Sequence, residues 1–487
     1  MIATSAGLAA TACGSTSTKV SPTDPAVAKL DRSRRRSGST PFTAALEPRK
    51  VSVDLGGLVV DTWAFADTLG GPAFRMSQGD PVSIKLSNKL PESTTIHWHG
   101  LALRNDMDGV MDLTQQEVPA GGSFDYKFNA PHPGTFWFHP HMGLQLDRGL
   151  YAPFIIEDPN EPLDVDVDEV LMLDDWLDGI DGRTPDAAYA DLGNMGGSGG
   201  MSGMDMGGGS MSGGSQSNDL LGGDAGDVKY DAHLINGKMP SDRPTFNVPA
   251  GGRIRLRLIN AGSDTAYRVA IGGQKMTVTH ADGFPVDHVV VESVLLGMGE
   301  RYDVLVQPIS GAWPIYAEAL GKGGHASAVL RTSDAANASA PDDTVRPVEL
   351  EGRLLTYRDL VADDSARLDV KPTRTVDVEL GGSMMKNDWT INGRSFKDRE
   401  PIEVTQGEHV RLRVKNSTTM WHPMHVHGHT FRLGSAASGP RKDTANVLPG
   451  KTLEFDIVAD NPGQWMIHCH NTYHLELGMA TVLSYVT

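Results

Sequence analysis

The sequence predicts an all-β protein built from three copies of one sandwich domain. Long amphipathic helical patterns are scarce, whereas short runs rich in Val, Ile, Leu and Phe recur between Gly, Pro and Asp. Three of these runs share one pattern, a polar-apolar strand that ends at an Asn before a turn. They are PVSIKLSN from residue 81, GRIRLRLIN from residue 252 and EHVRLRVKN from residue 408. A phrase that recurs in this way indicates a repeated domain.

Changes in composition predict where the domains begin and end. We expect an export-signal remnant and disordered linker over 1–46, a first domain over 47–160, a second over 161–345 and a third over 346–487. The breaks fall at the turn-rich EDPNEP and the polar SDAANASAPDD, and each piece has the size of a β-sandwich. Within the second domain, residues 194–218 are rich in Gly, Ser and Met. This Met-rich insert is too poor in other apolar residues to pack a core, so we expect it to be mobile.

Charge and the N-terminal segment constrain partners and location. A net charge of −18 argues against nucleic acid or an anionic membrane surface as a partner, and no apolar run approaches the ~20 residues of a membrane helix. Cys13 ends the small, apolar run MIATSAGLAATAC, which is typical of the end of a bacterial export signal and contains a degenerate lipoprotein box. We therefore expect an exported protein, anchored at the cell surface or released, with a disordered tail as the alternative. The segment DRSRRRSG, residues 31–38, is expected to be a solvated linker.

Histidines fall in four clusters, HWHG, HPH, HPMHVHGH and HCHNTYH, and the last contains Cys469, the only cysteine besides Cys13. Two residues that are separated by one position on a strand lie on the same face, about 7 Å apart, so paired imidazoles suit adjacent metal ions. One such pair alone would indicate an ordinary surface or core histidine, but four clusters with a cysteine favour metal binding. The remaining histidines are expected to have no metal role: His132, His233, His280, His288, His325 and His429.

Strand alternation divides HCHNTYHLELGM between two metal sites. If QWMIHCH is a strand, His468 and His470 face one side and Cys469 faces the other. One Cys, two His and a weak Met form the ligand set of a blue-copper electron-transfer site. For that site we predict Cys469, His474 and Met479, brought together by a loop, with His422 as the second imidazole.

The second predicted site contains imidazoles alone. Eight neutral imidazoles and no thiolate suit three copper ions better than one, and a zinc hydrolase would be expected to use carboxylates and would not need the Cys and Met. The eight residues are His97, His99, His139, His141, His425, His427, His468 and His470.

In their order along the chain, HWHG, HPH, HPMHVHGH and HCHNTYHLELGM resemble the four copper signatures of the multicopper oxidases. The resemblance covers roughly residues 50 to 487 and is closest to bacterial copper-resistance oxidases and laccase-like relatives. It implies three cupredoxin-like Greek-key β-sandwich domains and four copper ions. It implies a type 1 copper on His422, Cys469, His474 and axial Met479, a type 2 copper on His97 and His425, and a type 3 pair on His99, His139 and His470 and on His141, His427 and His468.

The resemblance also implies an activity. A reductant would give single electrons to the type 1 copper, Cys469, His468 and His470 would carry them onward, and dioxygen would be reduced by four electrons to two waters. Asp108 in MDG matches a family acid near the trinuclear site, and Glu476 is a second candidate acid. The simpler interpretations are a turn Asp and a surface Glu. Several relatives carry an acid directly after the last type 1 histidine, where this chain has Leu475.

The substrate is predicted from the Met-rich insert. Thioethers select Cu(I), and a flexible backbone would let several of them reach one ion, although a Gly-rich linker also tolerates incidental methionines. Asp443 in KDT resembles a family position near the site of electron entry. The candidate Cu(I) residues are Met195, Met201, Met204, Asp205, Met206, Met211 and Asp443.

Three functions remain open from the sequence. The favoured one is a cuprous oxidase that detoxifies copper, and a laccase-like phenol oxidase is the alternative. A copper-storage protein without turnover is the third, but storage alone does not need a thiolate linked to paired type 3 ligands.

Overall fold

The computed structural model describes residues 18–195, 218–339, 341–383 and 388–487. Most of the ordered structure is β, as the sequence predicts, with three helices in the described part of the chain: α1 (Pro25–Ser33), α2 (Pro185–Met195) and α3 (Thr472–Glu476). None of the described helices is both long and apolar enough to cross a membrane. The strands form three successive sandwiches, so the prediction of an all-β, three-domain fold is confirmed.

The first sandwich packs a sheet in the order β1-β5-β7 against one in the order β4-β9-β8-β6, with a separate ribbon β2-β3. Its strands are β1 (Phe42–Leu46), β2 (Arg49–Asp54), β3 (Val59–Ala64), β4 (Phe74–Ser77), β5 (Pro81–Ser87), β6 (His97–His99), β7 (Ser123–Asn129), β8 (Gly134–His139) and β9 (Ala152–Glu157).

The second sandwich joins the sheets β11-β10-β13-β18-β15-β16 and β12-β20-β19-β14-β17. Its strands are β10 (Val167–Trp176), β11 (Ala232–Ile235), β12 (Thr245–Val248), β13 (Ile254–Asn260), β14 (Tyr267–Ile271), β15 (Met276–Ala281), β16 (Phe284–Val291), β17 (Ser293–Leu296), β18 (Arg301–Val306), β19 (Ala312–Ala319) and β20 (His325–Thr332).

The third sandwich repeats the strand order of the second, with sheets β22-β21-β24-β29-β26-β27 and β23-β31-β30-β25-β28. Its strands are β21 (Arg374–Ser383), β22 (Asp388–Ile391), β23 (Ile402–Val404), β24 (His409–Asn416), β25 (His422–Val426), β26 (Phe431–Leu433), β27 (Arg441–Lys442), β28 (Thr444–Val447), β29 (Thr452–Val458), β30 (Gln464–Cys469) and β31 (Ala480–Tyr485).

The repeated sequence phrase occupies one topological position in all three sandwiches. It forms β5, β13 and β24, each hydrogen-bonded on one side to a parallel strand and on the other to an antiparallel one. Apolar side chains of these strands face the interior, as in the alternating burial of β24, and each sandwich encloses its own buried cluster. The internal repeat is therefore a structural repeat.

The N-terminal segment is more ordered than the sequence predicts. Residues 18–46 include α1 and β1, and β1 extends the sheet of the first sandwich by pairing with β5. Asp31 within α1 accepts hydrogen bonds from the backbone and side-chain amides of Asn129. The expectation of a disordered linker up to residue 46 is wrong for this segment, because its polar side chains have specific partners in the first domain.

Candidate metal centre

Strand β30 lies at the centre of the third domain and divides its ligand side chains between two environments. It pairs with β25, so that His468 lies opposite His425, and Cys469 lies opposite Met424. Cys469 belongs to the apolar core of the third domain together with Met424 and Met479. The neighbouring His468 faces the first domain, where its ring lies 5.0 Å from that of His141. Alternation along the strand therefore separates the thiol from the imidazoles.

Cys469, His422, His474 and Met479 form what we call the Cys469 centre. The Cys469 Sγ atom lies 3.6 Å from Nδ1 of His422 and 3.5 Å from Nδ1 of His474. These two nitrogens are themselves 3.1 Å apart. Met479 is fully buried, and its carbonyl accepts a hydrogen bond from the amide of Cys469. The thiol and both imidazoles thus converge on one point, as a three-ligand metal site requires.

A short helix, rather than the predicted loop, places His474. Asn471 caps α3, and its side chain accepts hydrogen bonds from the amides of Tyr473 and His474. The Nε2 atom of His474 donates to Oδ2 of Asp227 at 2.8 Å. This bond leaves the Nδ1 lone pair of His474 directed at Cys469.

Burial keeps the thiol protonated without a metal. Cys469 has no exposed surface, and desolvation raises the pKa of its thiol well above the ordinary range. Burial likewise lowers the pKa of His422 well below its usual value. A metal ion that displaces the thiol proton would find a neutral imidazole and a thiolate in a site closed to water.

The eight predicted histidines form a second group, which we call the eight-histidine cluster. Strands β6 and β8 supply residues from the first domain, and β25 and β30 supply residues from the third. Rings from the two domains stack directly, with centroids 3.7 Å apart for His97 and His427 and 3.8 Å apart for His99 and His425. The ligand atoms approach within 4.8 Å of one another in four sets: His97, His141 and His427; His97, His99 and His425; His99, His139 and His470; and His425, His427 and His468.

Backbone carbonyls fix the outer nitrogen of several of these rings. The Nδ1 atoms of His139, His425 and His468 donate to the carbonyls of Pro140, Asp443 and Cys469 at distances of 2.8 to 3.0 Å. Each Nε2 atom is consequently unprotonated when the ring is neutral, and its lone pair faces the centre of the cluster. This orientation by a second hydrogen bond is typical of metal-binding histidines.

Unsatisfied nitrogens indicate that the cluster is built around cations. Five of its buried ring nitrogens have no hydrogen-bond partner: Nε2 of His97, His139, His141 and His425, and Nδ1 of His470. The Nε2 atoms of His427 and His468 face each other at 3.0 Å, although Nδ1 of each ring already donates to another acceptor. Two lone pairs at this distance repel unless a cation lies beside them. The donor set therefore fits copper, which imidazole and thiolate ligands favour.

The electrostatic environment keeps the cluster neutral and ready to bind. Burial is the largest cause of a lowered pKa at every ring for which the pKa departs from its usual value, and neighbouring imidazoles lower it further at His99 and His141. A neutral imidazole can coordinate a metal, whereas a protonated one cannot.

Asp108 lies beside the cluster, as the family resemblance implies. Its carboxylate accepts from Nδ1 of His97 at 3.1 Å and from Nδ1 of His427 at 2.9 Å. One buried side chain thus orients a histidine from each domain. Asp108 has no exposed surface, so the interpretation as an ordinary turn residue does not describe its contacts.

Asp443 lies elsewhere than predicted. It is fully buried, and its Oδ1 atom lies 3.2 Å from Nε2 of His99. Arg301 from the second domain pairs with it through two hydrogen bonds of 2.6 and 2.7 Å. A residue in this position is closed to a reductant at the surface, so the expected role of Asp443 at the electron entry site is wrong. Asp443 instead joins the second domain to the eight-histidine cluster.

Glu476 lies at the surface beside the cluster. It lines a cleft of about 430 Å³ together with His141, Met111 and Leu475. The side chain is exposed, yet the surrounding protein desolvates it enough to raise the pKa of its carboxyl group. It therefore lies where solvent can approach a histidine of the cluster.

Of the predicted Cu(I) residues, Asp443 is the one whose side chain lies among the described residues. Met201, Met204, Asp205, Met206 and Met211 lie outside the described residues, and α2 is described only as backbone at Met195. None of the histidines expected to lack a metal role occurs in the described ligand sets. Asp227 was missed by the sequence analysis, because a single acid after a Gly-rich segment gives no signal of its contact with His474.

Comparison with known proteins identifies the same family along the whole chain. Three multicopper oxidase family models match residues 48–161, 213–335 and 369–486. The multicopper oxidase MmcO of Mycobacterium tuberculosis is 44% identical, covering 100% of this chain and 95% of that protein. The copper resistance protein A homolog of Pseudomonas syringae is 28% identical over 84% of this chain and 86% of its own.

A solved structure has the same fold. The laccase from Botrytis aclada superimposes with a TM-score of 0.75, covering 92% of this chain and 88% of that one at 24% identity.

Proposed function

This chain belongs to the multicopper oxidase family, and on that premise we propose that it couples the one-electron oxidation of cuprous ions to the four-electron reduction of dioxygen to water. The observation that carries this proposal is the coexistence of a buried thiol centre and a buried cluster of eight imidazoles with unsatisfied nitrogens. Like its relatives, the protein is a copper-dependent oxidoreductase.

Four copper ions would fit the two groups of ligands. The Cys469 centre would hold a type 1 copper on His422, Cys469 and His474, with Met479 as a further, weaker ligand. The eight-histidine cluster would hold a type 2 copper on His97 and His425 and a type 3 pair on the remaining six histidines. When bound, these ions would supply the redox chemistry that reduces dioxygen.

The polypeptide itself connects the two sites. Cys469 is bonded through the backbone to His468 on one side and His470 on the other. A few covalent bonds therefore separate the thiol from two imidazoles of the cluster, and this segment is the proposed electron path. Its rigidity supports that role, because β30 is fully buried and paired on both sides.

Asp108 and Glu476 are the proposed acids for proton supply. Asp108 accepts hydrogen bonds from histidines of both domains, which places its carboxylate beside the cluster, where dioxygen reduction would consume protons. Glu476 lies between solvent and His141 in the cleft, and this cleft is the proposed route for dioxygen. Leu475 cannot replace the acid found there in several relatives, which leaves Glu476 as the adjacent carboxyl group.

The attachment of the Met-rich insert supports Cu(I) as the substrate. Before the insert, Leu192 of α2 packs in one cluster with Tyr473, the neighbour of His474. After it, Leu221 packs in the same core as Cys469 and Met479. Both flanks of the insert therefore pack beside the Cys469 centre.

Asp227 lies beside the Cys469 centre, where we expect Cu(I) to be oxidised. Only 9% of its side chain is exposed, and it accepts the hydrogen bond from Nε2 of His474. We propose that a cuprous ion delivered by the insert is oxidised near this carboxylate, since the negative charge favours the more highly charged product.

The rates of oxidation of Cu(I) and of a small phenol test whether Cu(I) is the substrate. Deleting residues 195–211 should lower turnover of Cu(I) strongly while leaving turnover of a small phenol nearly unchanged. The matched control replaces the deleted methionines by serine at full insert length, which preserves the linker but removes the thioethers. Unchanged cuprous activity in both variants would contradict the role of the insert.

A laccase-like phenol oxidase is the second candidate. Relatives named laccase match this chain over most of its length, including laccase-2 of Cryptococcus neoformans at 27% identity and 86% coverage. Asp227 could accept the proton of a phenol at the same position. This function would be favoured if the protein oxidises a phenol faster than Cu(I) and the insert deletion leaves the phenol rate unchanged.

We also propose that the protein is exported. Cys13 and the rest of residues 1–17 lie outside the described residues, and several relatives are named copper resistance proteins. Mass spectrometry of the N-terminus from membrane and released fractions would identify lipidation at Cys13 or its absence.

A further inference from the structure

A cavity of about 760 Å³ lies where the three domains meet, separate from both metal centres. The first domain contributes His132 and Ile156 to its lining, the second Arg255 and Phe284, and the third Arg441. A cavity of this size can enclose a small organic molecule.

Arg441 is only partly buried, and it differs from the buried arginines of the described residues in forming no ion pair. Arg255, Arg257, Arg301 and Arg432 each form an ion pair with an Asp or Glu. Within the described ranges, no carboxylate lies within ion-pair distance of Arg441. Burial lowers the pKa of its guanidinium to about 10. Asp460 opposes this shift only from beyond ion-pair distance, so the guanidinium is left with room for a closer anion that is supplied from outside.

The orientation of Arg441 leaves one edge of its guanidinium available. Its Nε atom donates to the Thr430 hydroxyl at 2.6 Å, and its face lies 4.1 Å from the ring centre of Phe284. In the described part of the chain, the two terminal nitrogens have no hydrogen-bond acceptor. Together they present the paired donors that bind a carboxylate in a bidentate manner.

A second donor without a partner lies in the same lining. The His132 ring packs between Phe136 and Phe284, with centroids 5.1 and 5.0 Å away. Its Nε2 atom accepts from the amide of Ala102, so the neutral ring carries its proton on Nδ1. That buried Nδ1 atom has no hydrogen-bond partner, as expected for a group that completes its bonding with a ligand.

We propose that this central cavity binds a small apolar monocarboxylate, held through its carboxylate by Arg441 and His132. Apolar side chains, including Ile156, Leu163, Val286 and Ala366, would contact the body of the ligand. The carboxylates of Asp158, Asp287 and Asp363 also line the cavity. Their negative charge disfavours polyanions such as phosphate, so a single negative charge on an apolar body suits the cavity best.

Calorimetric titration of the copper-loaded protein with benzoate tests the site. Benzoate should bind saturably with one molecule per chain and leave the visible absorption of the copper centres unchanged. Arg441→Met should weaken binding at least tenfold, because it removes both charge and paired donors. Arg441→Lys should weaken it less, since the charge remains but the bidentate geometry is lost.

Arg399 provides the matched control. Its guanidinium also lies 4.1 Å from a phenylalanine ring, that of Phe396, and forms no ion pair among the described residues, but it lies outside the cavity lining. Arg399→Met should bind benzoate as the parent protein does. Equal binding by the parent and Arg441→Met, tighter binding of phosphate than of benzoate, or no saturable benzoate binding by the parent would each overturn the proposal. Should Arg441→Met fail to fold, the comparison of Arg441→Lys with the parent decides it.

Discussion

The Cys469 centre and the eight-histidine cluster differ in how much of the molecule each needs. Every residue of the Cys469 centre lies between positions 422 and 479 of the third domain, and all four side chains are fully buried. The eight-histidine cluster instead joins strands of the first and third domains, and its rings stack across that boundary. The ligands of one centre all come from a single domain, with Asp227 of the second domain orienting His474, whereas the ligands of the other come from two domains.

Contacts between domains are needed to assemble the eight-histidine cluster but not to bring the ligands of the Cys469 centre together. Nothing from the first domain is required to bring Cys469 beside His422 and His474. The cluster, by contrast, depends on Asp108, which bridges the two domains, and on Arg301, which reaches from the second domain to Asp443. Changes at the boundary should therefore disturb the cluster and leave the Cys469 centre intact.

The largest expected effect separates the two sites directly. Cys469→Ser should abolish the blue absorption and turnover, because the thiolate ligand and the proposed electron path are both lost. The cluster should still bind its copper ions, as measured by metal content. Cys13→Ser is the control and should keep the colour and the activity. Retained turnover in Cys469→Ser would refute the electron path.

The next largest effect is expected from the ion pair between Arg301 of the second domain and Asp443 of the third. Arg301→Met leaves Asp443 buried without its cationic partner, which should cost about 3–5 kcal/mol of stability. The loss should appear as a lower melting temperature and reduced copper in the cluster, with the blue absorption preserved. Arg413→Met removes a pair with the exposed Asp377 and should cost at most about 1 kcal/mol. Equal losses of stability and of cluster copper in the two variants would show that Arg301 does not stabilise the cluster.

Copper removal should also act through the boundary. A ligand that binds only the folded state stabilises it, by about 2.7 kcal/mol at a free concentration of one hundred times Kd. Copper-depleted protein should therefore melt at a lower temperature than copper-loaded protein in calorimetry. Identical melting temperatures would argue against ligands that join the two ends of the chain.

The smallest expected effect concerns Asp108. Loss of a carboxylate that orients metal ligands typically costs about 10–100-fold in affinity or activity. Asp108→Asn should lower turnover by that factor and leave the blue absorption unchanged. Asp106→Asn, in the same turn but paired with Arg104, is the control and should behave as the parent. A normal rate in Asp108→Asn would leave Asp108 without its proposed function.

Much of the fold was predictable because its signals are local. The alternation in PVSIKLS, IRLRLIN and HVRLRVKN specifies strands, and their recurrence specifies the repeated domain. The N-terminal segment was misjudged because the order of α1 comes from a distant contact, between Asp31 and Asn129. Composition alone does not reveal such a partner.

In the candidate site, too, the features set by local sequence were predictable and those set by distant contacts were not. Alternation in HCH predicted that Cys469 and its two neighbouring histidines face opposite sides, and the structure has this arrangement. Asp443 and Asp227 were not predictable, because their roles depend on Arg301 and His474, which are remote in sequence. Sequence spacing located the ligands, whereas only the folded chain revealed which carboxylates orient them.

On this proposal, one chain holds a thiolate copper centre and a separate three-copper cluster. Copper content measured together with the absorption spectrum tests it most directly. We expect four copper ions per chain with a strong thiolate-to-copper band, and three ions without that band in Cys469→Ser. A parent protein with one or two coppers, or with four coppers and no thiolate band, would contradict it.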